Sequence, residues 1–218
     1  MQGMNRERLN MVRKQLMRRN ICDRAVLEAM STVPRHLFLP ENVRKYAYED
    51  RALPLSAGQT VSQPFIVALM AQALMLTGNE RVLEVGTGSG YAAAVLSLLT
   101  AEVYSIEVVS DLAETARARL AALGYHNVHV LLCDGTFGLP EHAPYNAITV
   151  AAASPWVPQP LRQQLADGGR LVIPVGGRDD QLLLRLTRQG EMIKTERLSG
   201  VRFVPLIGEH AWKEGEGH

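Results

Sequence analysis

The sequence predicts an α/β fold of the Rossmann type with a mostly parallel sheet, and two observations lead to this prediction. From residue 81 to residue 175, short apolar runs of strand length alternate with stretches of helical periodicity, which is the pattern of βαβ units and a parallel sheet. The first apolar run ends in a glycine loop at residues 86–90, where open α/β sheets bind ligands. We therefore expect a Rossmann-like core with right-handed crossovers.

The N-terminal lead at residues 1–60 is predicted to be helical and to pack on this core. Residues 5–19 carry a narrow apolar stripe at helical spacing on a very polar surface. A second helix is predicted between Asp23, which suits the N-cap position, and Pro34, which a helix does not normally pass. A short helix and then a loop are predicted over residues 40–58.

The core at residues 61–208 is predicted to contain the sheet. An apolar helix over residues 64–76 comes first. Strands are then predicted at residues 81–85, 102–106, 128–132, 147–151 and 170–175, with helices at residues 90–99, 112–124 (capped by Asp111) and 160–165. Antiparallel strands are predicted to finish the sheet at residues 181–187, 191–198 and 201–205, with turns at Gln189-Gly190 and Ser199-Gly200. Residues 209–218 are predicted to form a tail that frays from residue 213, so the chain is expected to be one globular domain overall.

Composition excludes several classes of protein. With 47% hydrophobic residues and a net charge of +1, the chain is too apolar and too weakly charged to be disordered. It contains no apolar run of about 18 residues, as a membrane span needs, and no secretory signal. Cys22 and Cys133 are far apart and form no C-x-x-C pair, which disfavours a disulfide scaffold and a zinc site. We expect a cytoplasmic monomer without a metal ion and without a membrane partner.

Charge is distributed unevenly along the chain. The first 50 residues hold 10 Lys and Arg against 6 Asp and Glu, whereas residues 76–150 hold 3 against 8. A basic lead is compatible with a polyanionic partner or with a solvated helix face. The acidic middle repels phosphate and suits a cationic ligand.

The glycine loop and its acidic neighbours indicate which ligand this is. Residues 84–91 read E-V-G-T-G-S-G-Y, whereas a dinucleotide fingerprint needs glycine at position 91. Because a pyrophosphate avoids a nearby anion, Glu84 favours instead the ammonium and sulfonium groups of S-adenosylmethionine. Glu107 ends the second strand and suits the ribose hydroxyls; Asp134, before Gly135, suits the adenine amino group. Each feature has another reading alone (a plain turn, a surface acid), but three acids after three successive strands predict this cofactor.

Six segments carry a resemblance to a known family. They are Gly58–Pro64 (G-Q-T-V-S-Q-P), Gly86–Gly90, Asp134-Gly135, Val150–Pro155, Gly168–Gly176 and Val201–Leu206. In this order, from about residue 5 to residue 206, the chain closely resembles the protein-L-isoaspartate O-methyltransferase family. The first segment is specific to that family, and the others are shared more widely. The family often has Asp where this chain has Asn146, at a strand start, so we expect a structural effect there.

The resemblance implies methyl transfer from S-adenosylmethionine to the free carboxylate of L-isoaspartyl residues in damaged proteins. The methyl ester collapses through a succinimide, which starts repair, and S-adenosylhomocysteine is the other product. The resemblance implies that Ser62 is the active-site residue. With Glu84, the predicted cofactor-binding residues are Thr60, Val61, Gln63, Gly86, Thr87, Gly88, Gly90, Glu107, Val108, Asp134 and Gly135; Ser62, Ala151 and Ala152 are predicted to bind substrate.

The chemistry of the acceptor suggests what Ser62 does. A free carboxylate titrates near about 4, so it is already ionised and needs no base. We therefore interpret Ser62 as a hydrogen-bonding positioner, with capping of the following helix as the alternative interpretation. Residues 56–64 are predicted to form a lid over the cofactor. The substrate, any aged protein or peptide, is expected to bind through its backbone.

Other functions remain open from the residues alone. The basic residues Arg13, Lys14, Arg18 and Arg19 are compatible with an RNA methyltransferase, although few aromatic residues are available to stack on bases, and we predict no nucleic-acid partner. A small-molecule methyltransferase or a non-catalytic binding module with a methyltransferase-like fold are further alternatives.

Overall fold

The computed structural model describes residues 2–213 and residue 215. Its helices are α1 (Gln2–Met11), α2 (Arg24–Thr32), α3 (Pro64–Leu74), α4 (Tyr91–Ser97), α5 (Ser110–Ala122) and α6 (Gln159–Gln163). Its strands are β1 (Leu53–Pro54), β2 (Thr60–Val61), β3 (Arg81–Val85), β4 (Glu102–Glu107), β5 (Val128–Leu132), β6 (Tyr145–Val150), β7 (Leu165–Gly176), β8 (Gln181–Gln189) and β9 (Met192–Val201). Helix α1 continues as a π-helical turn and then a 3-10 turn as far as Arg19.

The main sheet confirms the predicted fold class. Its strand order is β5-β4-β3-β6-β7-β8-β9. The pairs from β5 to β7 are parallel, and β8 and β9 add antiparallel pairs at one edge. Sequence-adjacent parallel strands need a crossover, and α4 and α5 supply it between β3, β4 and β5.

Apolar side chains cover both faces of this sheet, because neighbouring residues of a strand point to opposite faces. On one face, Val82 and Val103 pack with α3, α4 and the helical lead, to which Met11 and Met30 belong. Leu83 and its neighbours pack on the other face with α6. Asp23 caps α2 by accepting the Val26 N–H at 3.1 Å, as predicted. At the start of β6, the Asn146 side chain accepts the Arg81 N–H at 3.0 Å, which is a structural role.

The end of the sheet differs from the sequence prediction. Ser199-Gly200 is not a turn, because both residues lie inside β9 and pair with β8. The pairing shifts by one residue there, since Leu183 pairs with Ser199 and Leu184 with Arg197, and such a bulge absorbs the extra residue. Residues 202–205 are not a strand of the main sheet. They run beside the end of β6, where the Ala153 N–H donates to the Val204 carbonyl at 2.8 Å.

Two local predictions are also wrong. Helix α5 begins at Ser110 with Val109 at the N-cap, so Asp111 lies in the first turn, where a carboxylate still favours the helix dipole. The loop predicted within residues 40–58 contains strand β1, which pairs with β2 just after it, so that Leu53 faces Val61 and Pro54 faces Thr60. The tail predicted from residue 209 packs on the core at Ala211, which is buried. The predicted fraying from residue 213 concerns mainly residues 214 and 216–218, which lie outside the described residues.

Candidate active site

A cavity of about 910 Å³ opens at the carboxyl ends of β3, β4 and β6. This is the position where parallel α/β sheets bind their ligands. The predicted site residues on its wall are Thr60, Val61, Ser62, Gln63, Gly86, Thr87, Gly88, Glu107, Val108, Gly135, Ala151 and Ala152. The fold thus brings the serine segment and the glycine loop to one cavity, although about 25 residues separate them in sequence.

The glycine loop is fixed by backbone hydrogen bonds to the neighbouring strand. The Gly86 and Thr87 N–H groups donate to the Ile106 carbonyl at 2.8 and 3.1 Å. Gly86 and Gly88 have φ angles of +96° and +53°, in the region that glycine adopts at no steric cost. A Cβ at Gly86 would lie 3.4 Å from the Ala151 side chain, so the loop also fits closely against the end of β6.

Glu107 connects this loop to the end of β4. Its Oε2 accepts the Gly88 N–H at 2.8 Å, and its Oε1 accepts the Val108 and Val109 N–H groups at 2.9 and 3.1 Å. Only 6% of the residue is exposed, and it lies on the cavity wall. Each carboxylate oxygen can accept two hydrogen bonds, so Oε2 keeps acceptor capacity for a hydroxyl group in the cavity.

Glu84 lies beneath the cavity and not on its wall. The residue is fully buried. The Ser105 hydroxyl donates to its Oε2 at 2.5 Å and contacts the Thr87 hydroxyl at 2.6 Å, which links Glu84 to a residue of the wall. Its Oε1 has no partner among the described residues. Burial, with a smaller contribution from the nearby Glu107, raises the pKa of Glu84 to about 8, against the lowering effect of the Ser105 hydrogen bond.

Asp134 is likewise engaged by the protein itself. Its Oδ1 accepts the N–H and the hydroxyl of Thr136 at 2.8 and 2.7 Å, and its Oδ2 accepts the Glu209 N–H at 2.9 Å. The carboxylate therefore fastens residues near position 209 over the loop after β5, and it is absent from the cavity wall that the structure describes. The neighbouring Gly135 does line the cavity, and it packs so closely on Val85 that a Cβ would collide with that side chain.

Gly90 has a structural position. It is the N-cap residue of α4, with φ at +84°, and it does not line the described cavity wall. A Cβ there would lie 3.2 Å from the Leu120 side chain. Gly90 therefore allows α4 to pack against α5.

Ser62 lies on the cavity wall, in the chain between β2 and α3. The N-cap of α3 is Gln63, so the alternative interpretation of Ser62 as the helix cap is wrong. Ser62 is half-buried, lines the cavity, and its hydroxyl has no hydrogen-bond partner among the residues that the structure describes. Its donor is thus available to a group in the cavity.

Other wall residues had no individual signal in the sequence. Arg19 lines the cavity, although its sequence context indicated only a solvated basic helix face or a polyanionic partner. Residues 199–207 form one side of the cavity, and Arg202 at its mouth pairs with Asp179 at 3.4 Å, both strongly exposed. Only the family resemblance, through Val201–Leu206, indicated a functional role for residues 199–207. Within residues 2–213 and residue 215, no group of His, Cys, Asp and Glu side chains is arranged to hold a metal ion, and no described helix is long and apolar enough to cross a membrane.

Comparison with known proteins decides the family. The sequence model of the protein-L-isoaspartate(D-aspartate) O-methyltransferase family matches residues 6–211. The chain belongs to this family. A protein-L-isoaspartate O-methyltransferase of Roseiflexus sp. (strain RS-1) is 62% identical over 197 residues, which is 90% of each chain. Another, from Pelobacter propionicus, is 57% identical and covers 93% of this chain and 91% of its own.

Solved structures of the family have the same fold. A protein-L-isoaspartate O-methyltransferase superposes with a TM-score of 0.85 at 28% identity, over 95% of this chain and 67% of its own. A Plasmodium falciparum protein assigned to the family, in complex with S-adenosyl-L-homocysteine, gives a TM-score of 0.80 at 26% identity over 92% of this chain and 98% of its own. The fold similarity therefore extends over the helical lead as well as the sheet.

Proposed function

We propose that this protein transfers the methyl group of S-adenosylmethionine to the free carboxylate of L-isoaspartyl residues in damaged proteins. One observation carries the proposal: the family-specific serine segment and the glycine loop line the same cavity. Membership of the family and the complex of a relative with S-adenosyl-L-homocysteine support it.

The cavity residues fit this cofactor. The bare glycine backbone leaves room at the end of β3, and the nearly buried Glu107 carboxylate provides an acceptor on the wall. Glu107, the glycine loop, Gly135 and the residues 60–63 would hold the cofactor, which supplies an electrophilic methyl group on a sulfonium when bound. Glu84 and Asp134 would contribute from behind the wall, Glu84 by holding the Ser105 hydroxyl that contacts Thr87 and Asp134 by holding the turn that contains Gly135.

Ser62 would position the acceptor. A serine hydroxyl donates one hydrogen bond, and the described wall offers the Ser62 hydroxyl free of protein partners. The described residues that line the cavity include no His, Lys or Cys, and their carboxylates are those of Glu107, Asp179 and Asp180. This composition agrees with an acceptor carboxylate that is already ionised. Correct placement and exclusion of water would then supply the rate enhancement.

Small residues at the end of β6 would leave room for the substrate chain. The Ala151 N–H donates to the Val85 carbonyl at 2.8 Å, and the side chains of Ala151 and Ala152 on the cavity wall are single methyl groups. Residues 202–205, outside the main sheet, form the adjacent wall. A substrate would meet backbone and small side chains here, which suits an enzyme that accepts many damaged sequences.

We further propose that the protein is a cytoplasmic monomer that acts on isoaspartyl-containing proteins and peptides and binds no nucleic acid. Both cysteines are free thiols, and free thiols are typical of reducing compartments. Light scattering after size-exclusion chromatography is expected to give the mass of one chain.

The direct test uses labelled S-adenosylmethionine and two matched peptides, one with L-isoaspartate and one with normal L-aspartate at the same position. We expect label only on the isoaspartyl peptide, as a base-labile ester. Transfer to neither peptide, with the cofactor still bound, would overturn the substrate assignment, and transfer to RNA in the same assay would replace it.

A further inference from the structure

Asp50 lies outside the cavity wall, yet it contacts two residues that follow Ser62 and one residue of the helical lead. Its Oδ1 accepts the backbone N–H of Phe65 at 3.1 Å. Its backbone carbonyl accepts the Gln63 side-chain amide at 2.8 Å. Its Oδ2 pairs with Arg19 Nη1 at 2.6 Å. Asp50 therefore holds Gln63 and Phe65, which are one and three residues after Ser62.

The start of α3 requires such a partner. The first N–H groups of a helix have no acceptor within the helix. Gln63 at the N-cap makes no capping hydrogen bond with its side chain, and Pro64 has no N–H. The Phe65 N–H is therefore the first donor of α3 that needs an acceptor, and Asp50 provides a carboxylate, which also favours the positive end of the helix dipole.

Arg19 completes the arrangement. Its guanidinium carbon lies 3.4 Å from the centroid of the Phe65 ring, in a cation–π contact, while the same group pairs with Asp50. Arg19, Gln63 and Phe65 all line the cavity. The helical lead is thus connected to the cavity wall through this cluster, defined here as the Asp50 cluster (Arg19, Asp50, Gln63 and Phe65).

The other side of Ser62 is held less firmly. Residues 56–58 and residue 60 are exposed, and Ala57 and Gly58 have φ angles of +55° and +69°. The β1–β2 ladder there has only two residue pairs. A segment with so few buried contacts opens easily, so the position of Ser62 depends on the buried Val61 before it and on the Asp50 cluster after it.

We propose that Asp50 is a positioning residue for methyl transfer: held by Arg19, it fixes Gln63 and Phe65 and so keeps the Ser62 hydroxyl at the cavity. This inference rests on the proposed function. Asp50 does not touch substrate or cofactor; it acts through the segment that carries Ser62. Because a displacement of about 1 Å costs about 100-fold in rate, loss of the cluster lowers kcat by a larger factor than it raises the Kd of S-adenosylmethionine, to which Gln63 would contribute only one of several contacts.

The test compares three variants with a matched control. Asp50→Ala removes both carboxylate contacts. Asp50→Asn keeps an oxygen for the Phe65 N–H and weakens the Arg19 pair, and Arg19→Gln removes that pair from the other side. The control is Glu49→Gln, which removes a neighbouring exposed acid that pairs with Arg51 at 2.8 Å. The kcat value is expressed per mole of bound S-adenosylmethionine, so unfolded protein does not contribute.

We expect Asp50→Ala to lower kcat by about 100-fold and to abolish the hydrogen-exchange protection of the Phe65 N–H. Asp50→Asn and Arg19→Gln should each keep part of the wild-type kcat and part of the Phe65 N–H protection. Glu49→Gln should keep the full wild-type kcat and protection. If Asp50→Ala does not fold, the graded loss in Asp50→Asn and Arg19→Gln carries the test.

A kcat within two-fold of wild type in a variant whose Phe65 N–H has lost its protection would overturn the proposal. So would unchanged protection in Asp50→Ala. Failure of the proposed function is distinguishable from both, because the wild-type protein would then not methylate the isoaspartyl peptide, while the exchange measurement would still report on the Asp50 cluster.

Discussion

Replacing Glu84 by Gln is expected to change how the stability of the protein depends on pH. The wild-type carboxyl is fully buried, and its pKa is raised from 4.5 to about 8. Between these two values the folded protein keeps the proton and the unfolded chain has lost it. Because the unfolded state then binds fewer protons, the stability of the wild-type protein falls as the pH rises from about 4.5 to about 8.

The size of this effect follows from the shift. One pKa unit corresponds to about 1.4 kcal/mol, so the wild-type protein should lose about 3 kcal/mol between pH 5 and pH 7 relative to a variant that cannot ionise there. Glutamine has nearly the same shape, and its amide oxygen can accept the Ser105 hydroxyl hydrogen bond. The unpartnered position of Oε1 would then hold an amide N–H, whose cost is the same at every pH.

The assay is urea unfolding of unliganded wild-type protein and Glu84→Gln at pH 5, 6, 7 and 8. We expect the free energy of unfolding of the variant to rise relative to wild type by about 1.4 kcal/mol per pH unit from pH 5 to pH 7, and by less from pH 7 to pH 8, where the folded carboxyl begins to ionise. Glu102→Gln, which removes a less buried acid from the same sheet, controls for loss of a carboxylate. Parallel pH curves for wild type and Glu84→Gln would refute the reasoning, since they would mean that Glu84 is ionised in the folded protein.

Three further predictions concern the cavity. Glu107→Gln weakens the charge-assisted hydrogen bonds that hold Gly88 and should raise the Kd of S-adenosylmethionine by about 10- to 100-fold; calorimetry that gives an unchanged Kd would contradict a role of Glu107 in the site. Gly135→Ala forces a Cβ against Val85 and should lower the free energy of unfolding by about 1–3 kcal/mol, whereas Gly177→Ala, which meets nothing within 4 Å, should leave it unchanged in the same urea titration. If residues 56–64 form a lid, their hydrogen exchange should slow when S-adenosylmethionine is added, and exchange that stays the same would exclude the lid.

The sequence predicted the sheet well because strand and helix periodicities differ clearly in this core. Strands β3, β4, β5, β6 and β8 begin and end within two residues of their predicted positions, whereas β7 begins at Leu165, five residues before the predicted start. The turn at Ser199-Gly200 was wrong because Ser-Gly is equally compatible with extended strand. The pairing with β8 keeps Ser199 and Gly200 within the strand, and a one-residue bulge accommodates the shift in register beside them.

The site was predictable where it depends on the ends of parallel strands. The glycine loop and Glu107 share a cavity because the carboxyl ends of β3 and β4 meet at one edge. The location of Glu84 behind the wall was not predictable, since an acid near a strand end points to the cavity or into the protein according to the strand's register. Asp134 is held by Glu209, 75 residues away in sequence, and no local pattern indicates such a contact. The same holds for Asp50, which contacts the start of α3 through tertiary structure.

The central claim is that Ser62 places an isoaspartyl carboxylate at the cavity that binds S-adenosylmethionine. The most direct test measures methyl transfer to the isoaspartyl peptide by wild-type protein and by Ser62→Ala, together with the Kd of S-adenosylmethionine for each. We expect Ser62→Ala to keep a Kd of S-adenosylmethionine close to that of wild type and to lose most of the methyl-transfer rate. A variant that methylates the isoaspartyl peptide at the wild-type rate would contradict the central claim.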